Sequence, residues 1–297
     1  MDLIMPSTKS NPTPKHSWQF VAIGTKWEIT ASREISDDSK KVVTELIDDF
    51  DVTYSRFRSD SLVSTIAKTP GQYIFPKSSQ ELFGFYDELW EITDHQVSPM
   101  VGDILASAGY DAEYSLKPDA SIKPALDYKK AVRRNGTSIT VTESTLIDIG
   151  AVGKGYLVDQ MVSCLYSLGY DSFVVDGSGD MRIVGEYEET VGLEDPRDTS
   201  KILGTVTVKN RALCASANNR RSWGDWHHII EPSSARPTKE IVATWVIADT
   251  AMIADGLATA LFFTSPEKLA GRYTYEYMRM HANGSVEYSN YFAKEVF

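Results

Sequence analysis

The segment Ile147-Asp148-Ile149-Gly150-Ala151-Val152-Gly153-Lys154-Gly155-Tyr156-Leu157-Val158-Asp159 constrains the fold of this chain more than any other stretch. It reads as a strand ending at Asp148-Ile149, a turn rich in glycine with one lysine, and a helix start. Beyond it Leu157, Met161, Leu165 and Leu168 fall on one helical face and Gly169 supplies the stop. A chain built around such a unit has to pack a helix on extended chain. Two readings of the turn stay open at this point. One is a plain strand–turn–helix connection. The other is an anion cradle, in which glycines let backbone N–H groups approach a phosphate, the helix start adds positive potential and Lys154 adds a point charge. It is not a Walker A loop, since two residues instead of four separate Gly150 from Gly153-Lys154, and Gly155 stands where Ser or Thr would be needed.

Other segments extend the same architecture. Phe20–Ile23 followed by Gly24-Thr25-Lys26-Trp27-Glu28-Ile29 predicts an opening hairpin. Val42, Val43, Leu46, Ile47 and Phe50 recur at helical spacing behind an acidic first turn, which predicts a helix over about 37–51. A second helix is expected from Ser78 or Ser79, with Ser78 and Glu81 as a capping box and Leu82, Phe85, Tyr86, Leu89 and Ile92 as its apolar face. Ser172–Asp176 reads as a buried strand that turns at Gly177-Ser178-Gly179 into Met181–Val184. Further strands are expected at Gly204–Val208 and Val242–Ala248, a helix over about 250–263, a short helix from Pro266, and a hairpin at Asn283-Gly284. Strands come in pairs and helices do not alternate with them strictly, so the fold class is α+β and not a doubly wound sheet. No repeat or low-complexity linker divides the chain. Residues 1–17, with three prolines, read as a flexible tail and 18–297 as one two-lobed unit.

Charge and composition narrow the function. Lys+Arg 30 against Asp+Glu 41 leaves a net charge of −11, which argues against a field that gathers nucleic acid or an anionic membrane. A polyanionic ligand would need local compensation. Only Cys164 and Cys214 are present and neither belongs to a metal-binding spacing, so both are expected to be buried free thiols. No secretory pattern opens the sequence and no run of about 18 apolar residues occurs, so a cytoplasmic protein without a membrane span is expected.

Three more segments carry candidate chemistry. Val175-Asp176-Gly177-Ser178-Gly179-Asp180 lacks the third glycine of a dinucleotide fingerprint and leads into a strand; it is a turn with solvated aspartates, or one that keeps Asp180 near a ligand. Asp255 and Thr259, four apart, share one face of an otherwise apolar helix. They form a local hydrogen bond or cap, or they offer hard oxygen ligands of the kind Mg²⁺ takes. His227 and His228 point to opposite faces of a strand and cannot easily chelate one metal; either is a structural histidine or one faces a cleft as a base.

Taken in order, these segments resemble the ApbE family of flavin transferases, which move FMN from FAD onto a protein threonine. Gly24-Thr25 is similar to the family's opening G-T, and Tyr54-Ser55-Arg56-Phe57 with Ser61 to its S-x-F/L pattern. Residues 148–159 match D-L-G-A-I-A-K-G-Y-x-V-D almost letter for letter. Asp176–Asp180 resembles N-x-G-G-D, residues 228–237 resemble H-I-I-D-P-x-T-G-x-P, and residues 254–261 resemble A-D-A-L-A-T-A-L. The chain departs from the family pattern at Ser98-Pro99-Met100, Ala215-Ser216-Ala217 and Glu231-Pro232-Ser233-Ser234-Ala235.

The resemblance implies an ApbE-like, T-fold-like α+β architecture with mainly antiparallel sheets and an FAD cleft between lobes. It implies FAD as substrate, Mg²⁺ as cofactor, and an acceptor protein that takes FMN on a threonine or serine while AMP leaves. Mg²⁺ would be held by the Ala151 carbonyl, Asp255 and the Thr259 hydroxyl, with the Ala258 carbonyl as a further ligand. FAD would contact Gly150, Ala151, Lys154, Gly155, Asp176, Gly177, Ser178, Gly179, Ser216 and His228. His228 is the candidate base for the acceptor hydroxyl, Asp180 an orienting group, and Asp255 the third residue of the catalytic set. Two alternatives remain: an FAD pyrophosphatase with water as acceptor, and a flavin-binding protein without transfer.

Overall fold

The structure, a computed structural model, describes residues 15–294. The tail expected over 1–17 lies outside these apart from its last three residues, of which His16 and Ser17 already belong to a strand. Strands β1 (His16–Ala22) and β2 (Thr25–Ala31) form the opening hairpin. Helix α1 (Asp37–Tyr54) starts where the Ser36 hydroxyl accepts the N–H of Ser39 and Asp37 and Asp38 face the positive helix end. It runs one turn past the expected end and buries Val43, Ile47, Phe50 and Tyr54.

After α2 (Leu62–Lys68) and β3 (Gly71–Ile74) comes α3 (Ser79–Ile92). The expected capping box does not form there. Ser78 has helical backbone angles and its side chain makes no cap hydrogen bond, because a tight turn of Ser79 N–H to the Pro76 carbonyl already precedes the helix. Helices α4 (Gly102–Ser107) and α5 (Tyr128–Ala131) and strands β4 (Val132–Asn135) and β5 (Ser138–Val141) follow, and β3, β5 and β4 make a small antiparallel sheet.

The strand expected to end at Asp148-Ile149 is absent: 144–149 is unpaired. Its backbone is held by other partners, the Leu146 N–H by the Asp103 carboxylate at 3.2 Å and the Asp148 N–H by the Pro99 carbonyl at 2.8 Å. Helix α6 (Gly153–Ser167) then begins as expected, and Gly169 beyond it adopts φ +79°.

The remaining strands are β6 (Phe173–Asp176), β7 (Met181–Val184), β8 (Glu188–Glu194), β9 (Ile202–Lys209) and β10 (Ala212–Ala217). Two-residue strands β11 (Ser222–Trp223), β12 (Trp226–His227), β13 (Ile230–Glu231) and β14 (Arg236–Pro237) lead to β15 (Ile241–Ala248). Helices α7 (Ala251–Ala260) and α8 (Pro266–Ala270), the hairpin β16 (Glu276–His281) and β17 (Val286–Tyr288) and a 3₁₀ turn at Phe292–Lys294 are the last elements of the described residues. Thr250 and Ser265 cap α7 and α8 through their hydroxyls.

Eight strands form one sheet in the order β1-β2-β6-β7-β10-β15-β16-β17, and every neighbouring pair is antiparallel. Both faces are covered. Ala212, Cys214, Val246 and Ala248 join the core beneath α1, α6 and α7, while their neighbours Leu213, Trp245 and Ile247 pack with Leu193, Val206 and Val208 of the β8–β9 hairpin. This is the α+β arrangement expected from the sequence. Cys214 is buried and Cys164 half-buried, both as free thiols. No helix among the described residues is long and apolar enough to cross a membrane.

Candidate active site

A cleft of about 610 Å³ opens where the first turn of α6, the inner face of α7, the β6–β7 turn and the end of β10 meet the 219–230 segment and the 96–114 segment. Gly150, Ala151 and Lys154 line it from the α6 side, Ser178, Gly179 and Asp180 from the β6–β7 turn, and Ser216, His228, Asp255 and Thr259 from the remaining walls. The fold therefore brings together groups more than 100 positions apart in sequence.

Lys154 and Asp180 are an ion pair at 2.7 Å, with the Asp180 side chain 1% exposed. Burial works against the Lys154 charge, but Asp180 and then Asp255 outweigh it and hold the ammonium above its ordinary range. Asp180 also accepts the Ala215 N–H at 3.2 Å, which ties the β6–β7 turn to β10.

Asp255 accepts the Gly155 N–H at 2.9 Å, so one of the unsatisfied donors at the start of α6 ends on α7. Burial, and next the charge of Asp180, push its carboxyl well above the usual carboxylate range, with Lys154 pulling the other way. One turn along α7, the Thr259 hydroxyl donates to the Ala151 carbonyl at 3.2 Å. Carboxylate, hydroxyl and carbonyl oxygens thus converge on the turn before α6. Among the described residues there is no cluster of three or more His, Cys, Asp or Glu. This oxygen set with a single carboxylate, whose charge the surroundings disfavour, fits a hard cation that keeps some ligand positions for water or phosphate.

The two histidines do face opposite ways. His227 is buried, with Nε2 on the Thr238 carbonyl at 2.9 Å and Nδ1 accepting the Ile229 N–H at 3.2 Å, and is structural. His228 lines the cleft and its buried Nδ1 has no partner among the described residues. Burial, then the Arg221 charge, push its conjugate acid down to about 3, so the ring is neutral at ordinary pH.

Four expected contacts are not on the cleft wall. The Ala258 carbonyl accepts the Thr244 hydroxyl at 2.7 Å, pointing at the sheet, and Ala258 is fully buried. Gly155 is spent on packing: a Cβ there would stand 2.1 Å from the Ala251 carbonyl oxygen and 2.7 Å from Asp255 Cβ. Gly177 likewise makes room for the Trp27 ring, which a Cβ would meet at 2.7 Å. The Asp176 carboxylate folds back onto the Gly179 N–H at 2.8 Å and shapes the turn.

Sequence reasoning missed two arginines. Arg56, 7% exposed, donates from Nε to Asp148 at 2.5 Å and from Nη1 to the Tyr110 carbonyl at 2.6 Å, while Asp148 accepts the Gly150 N–H at 2.6 Å. A carboxylate between two isoleucines was the available signal, since a buried charge demands a partner. Arg221 lines the cleft next to His228, and nothing in its polar surroundings marked it.

A sequence model described as the ApbE family matches residues 23–279. A FAD:protein FMN transferase of Vibrio cholerae is 26% identical over 257 residues, covering 78% of this chain and 75% of the relative. One of Rhodobacter capsulatus is 27% identical over 188 residues, 57% of this chain and 35% of its own length. Among solved structures, the ApbE protein of Thermotoga maritima superposes with a TM-score of 0.83 at 23% identity, over 94% of this chain and 98% of that one. The flavin transferase ApbE of Vibrio cholerae superposes with a TM-score of 0.76 at 17% identity, over 95% and 99%.

Proposed function

The chain belongs to the ApbE family, and we propose that it is an FAD:protein FMN transferase that moves FMN from FAD onto a threonine or serine hydroxyl of an acceptor protein and releases AMP. The observation that carries the reading is the convergence of Lys154, Asp180, Asp255, Thr259 and His228 on one cleft from separate elements.

Mg²⁺ suits the oxygens of Ala151, Asp255 and Thr259, and when bound it would supply charge neutralisation at a pyrophosphate. The chain's own residues do the rest. Lys154, anchored by Asp180, presents a fixed cation to the phosphates beside the helix start. Asp148 and Arg56 hold the Gly150 turn open and rigid. His228, whose ring lines the cleft, takes the proton from the acceptor hydroxyl as the hydroxyl oxygen bonds to the FMN phosphorus and the bond from that phosphorus to the AMP oxygen breaks. In the free protein its basicity is low; an anionic substrate alongside raises it. Asp180 orients Lys154 and does not itself transfer a proton.

The test is AMP release from FAD with and without EDTA, in the presence and absence of a threonine-bearing acceptor. EDTA-sensitive AMP that requires the acceptor supports transfer, and AMP independent of acceptor would instead indicate hydrolysis. A cytoplasmic location is carried as part of the proposal and is checked by cell fractionation.

A further inference from the structure

Five lysine and arginine side chains line the cleft. Arg56 pairs with Asp148, Arg58 with Asp51 and Asp60, Lys154 with Asp180, and Arg220 with Glu194. Arg221 alone has no carboxylate within ion-pair distance among the described residues, and no side-chain hydrogen bond there either.

Its direction is set by the backbone. β11 and β12 pair Ser222 with His227, and the next rung outward is closed by the His228 N–H on the Arg221 carbonyl at 3.2 Å. Residues opposed across an antiparallel pair send their side chains to the same face. Arg221 and His228 both line the cleft, while His227 turns away to the Thr238 carbonyl. One short hairpin thus presents a guanidinium and an imidazole side by side.

In a chain of net charge −11, an arginine left without a carboxylate in a half-buried cleft is built for an anion that arrives with the ligand. We propose that Arg221 is a substrate-binding residue that grips non-bridging phosphate oxygens of the dinucleotide from the hairpin wall, next to His228, while Lys154 holds them from α6. The identity of the anion rests on the transferase reading. The charge of a phosphoryl group in transfer is spread over its non-bridging oxygens, and the planar fork of arginine meets two of them at once. Binding the reacting group and the base from one rigid hairpin keeps their separation constant.

The test compares wild type, Arg221→Gln and Arg221→Lys in calorimetric titrations with FAD, inorganic pyrophosphate and riboflavin, alongside AMP release. Arg221→Gln is expected to weaken FAD and pyrophosphate about tenfold or more, to leave riboflavin binding and the thermal midpoint unchanged, and Arg221→Lys to recover part of the loss. FAD and pyrophosphate affinities within twofold of wild type would overturn the inference, as would an equal loss for riboflavin, which would indicate a changed cleft shape. A rise confined to the KM for the acceptor would also overturn it and assign Arg221 to the acceptor protein. If wild type binds FAD without releasing AMP, the transferase reading fails while the affinities still judge Arg221. If wild type binds neither FAD nor pyrophosphate, both fail.

Discussion

At Asp180 a carboxylate with 1% exposure depends on Lys154 for its counter-charge. Lys154→Met should therefore do two things: weaken FAD binding, and destabilise the fold by about 3 kcal/mol or more by leaving a buried charge unpaired. The double variant with Asp180→Asn should regain most of the stability and none of the FAD affinity, as read by thermal melts and titration; a double variant as unstable as the single would remove the ion pair from this account. Asp255→Asn keeps an oxygen for the Gly155 N–H but loses the charge a hard cation needs. AMP release should fall by about 100-fold or more with the fold retained, and undiminished EDTA-sensitive turnover would take Asp255 out of the cation site. At this scale the sequence was informative for side chains with a spacing signal, Lys154 in its glycine turn and Asp255 with Thr259 on one face. It could not place the Ala258 carbonyl, expected as a further cation ligand, because its direction depends on Thr244 from a distant strand.

The site is aligned by the contact of α6 with α7. Gly155 lets the helices touch, and a methyl group there would meet the Ala251 carbonyl at 2.1 Å. Gly155→Ala should separate the helices, destabilise the protein by about 1–3 kcal/mol and displace Asp255 enough to abolish turnover; a variant with wild-type melting and activity would show that the contact does not position the site. Asp159 on α6 accepts the N–H groups of Ala251 and Met252 at 3.0 and 2.8 Å and so docks the start of α7. Burial pushes its carboxyl up to about 6. A carboxyl raised above its unfolded value near 3.9 contributes stability that is fully present below that value and is lost as pH rises through about 6. Asp159→Asn should flatten the stability profile between pH 4 and 6, and an unchanged slope in thermal melts would sink the assignment. The helices that start at Asp37, Ala251 and Pro266 were legible from apolar spacing and local start signals, whereas the one cap read from the sequence, Ser78, does not form. The three-stranded sheet and the two-residue strands around His228 were not, because their pairing is decided by distant partners and not by their own residues.

For the whole molecule, an acidic chain sets five lysine and arginine side chains around one cleft and ties four of them to carboxylates. The antiparallel sheet with both faces covered makes the walls of that cleft rigid. The proposed work of that cleft is transfer of FMN to another protein. Intact-mass analysis of a threonine-bearing acceptor after incubation with the chain, FAD and Mg²⁺ tests this directly, with EDTA as the control. The account predicts an acceptor heavier by one FMN less one water, formed in step with AMP and abolished by EDTA. An unmodified acceptor with no AMP, from protein that binds FAD, would contradict it.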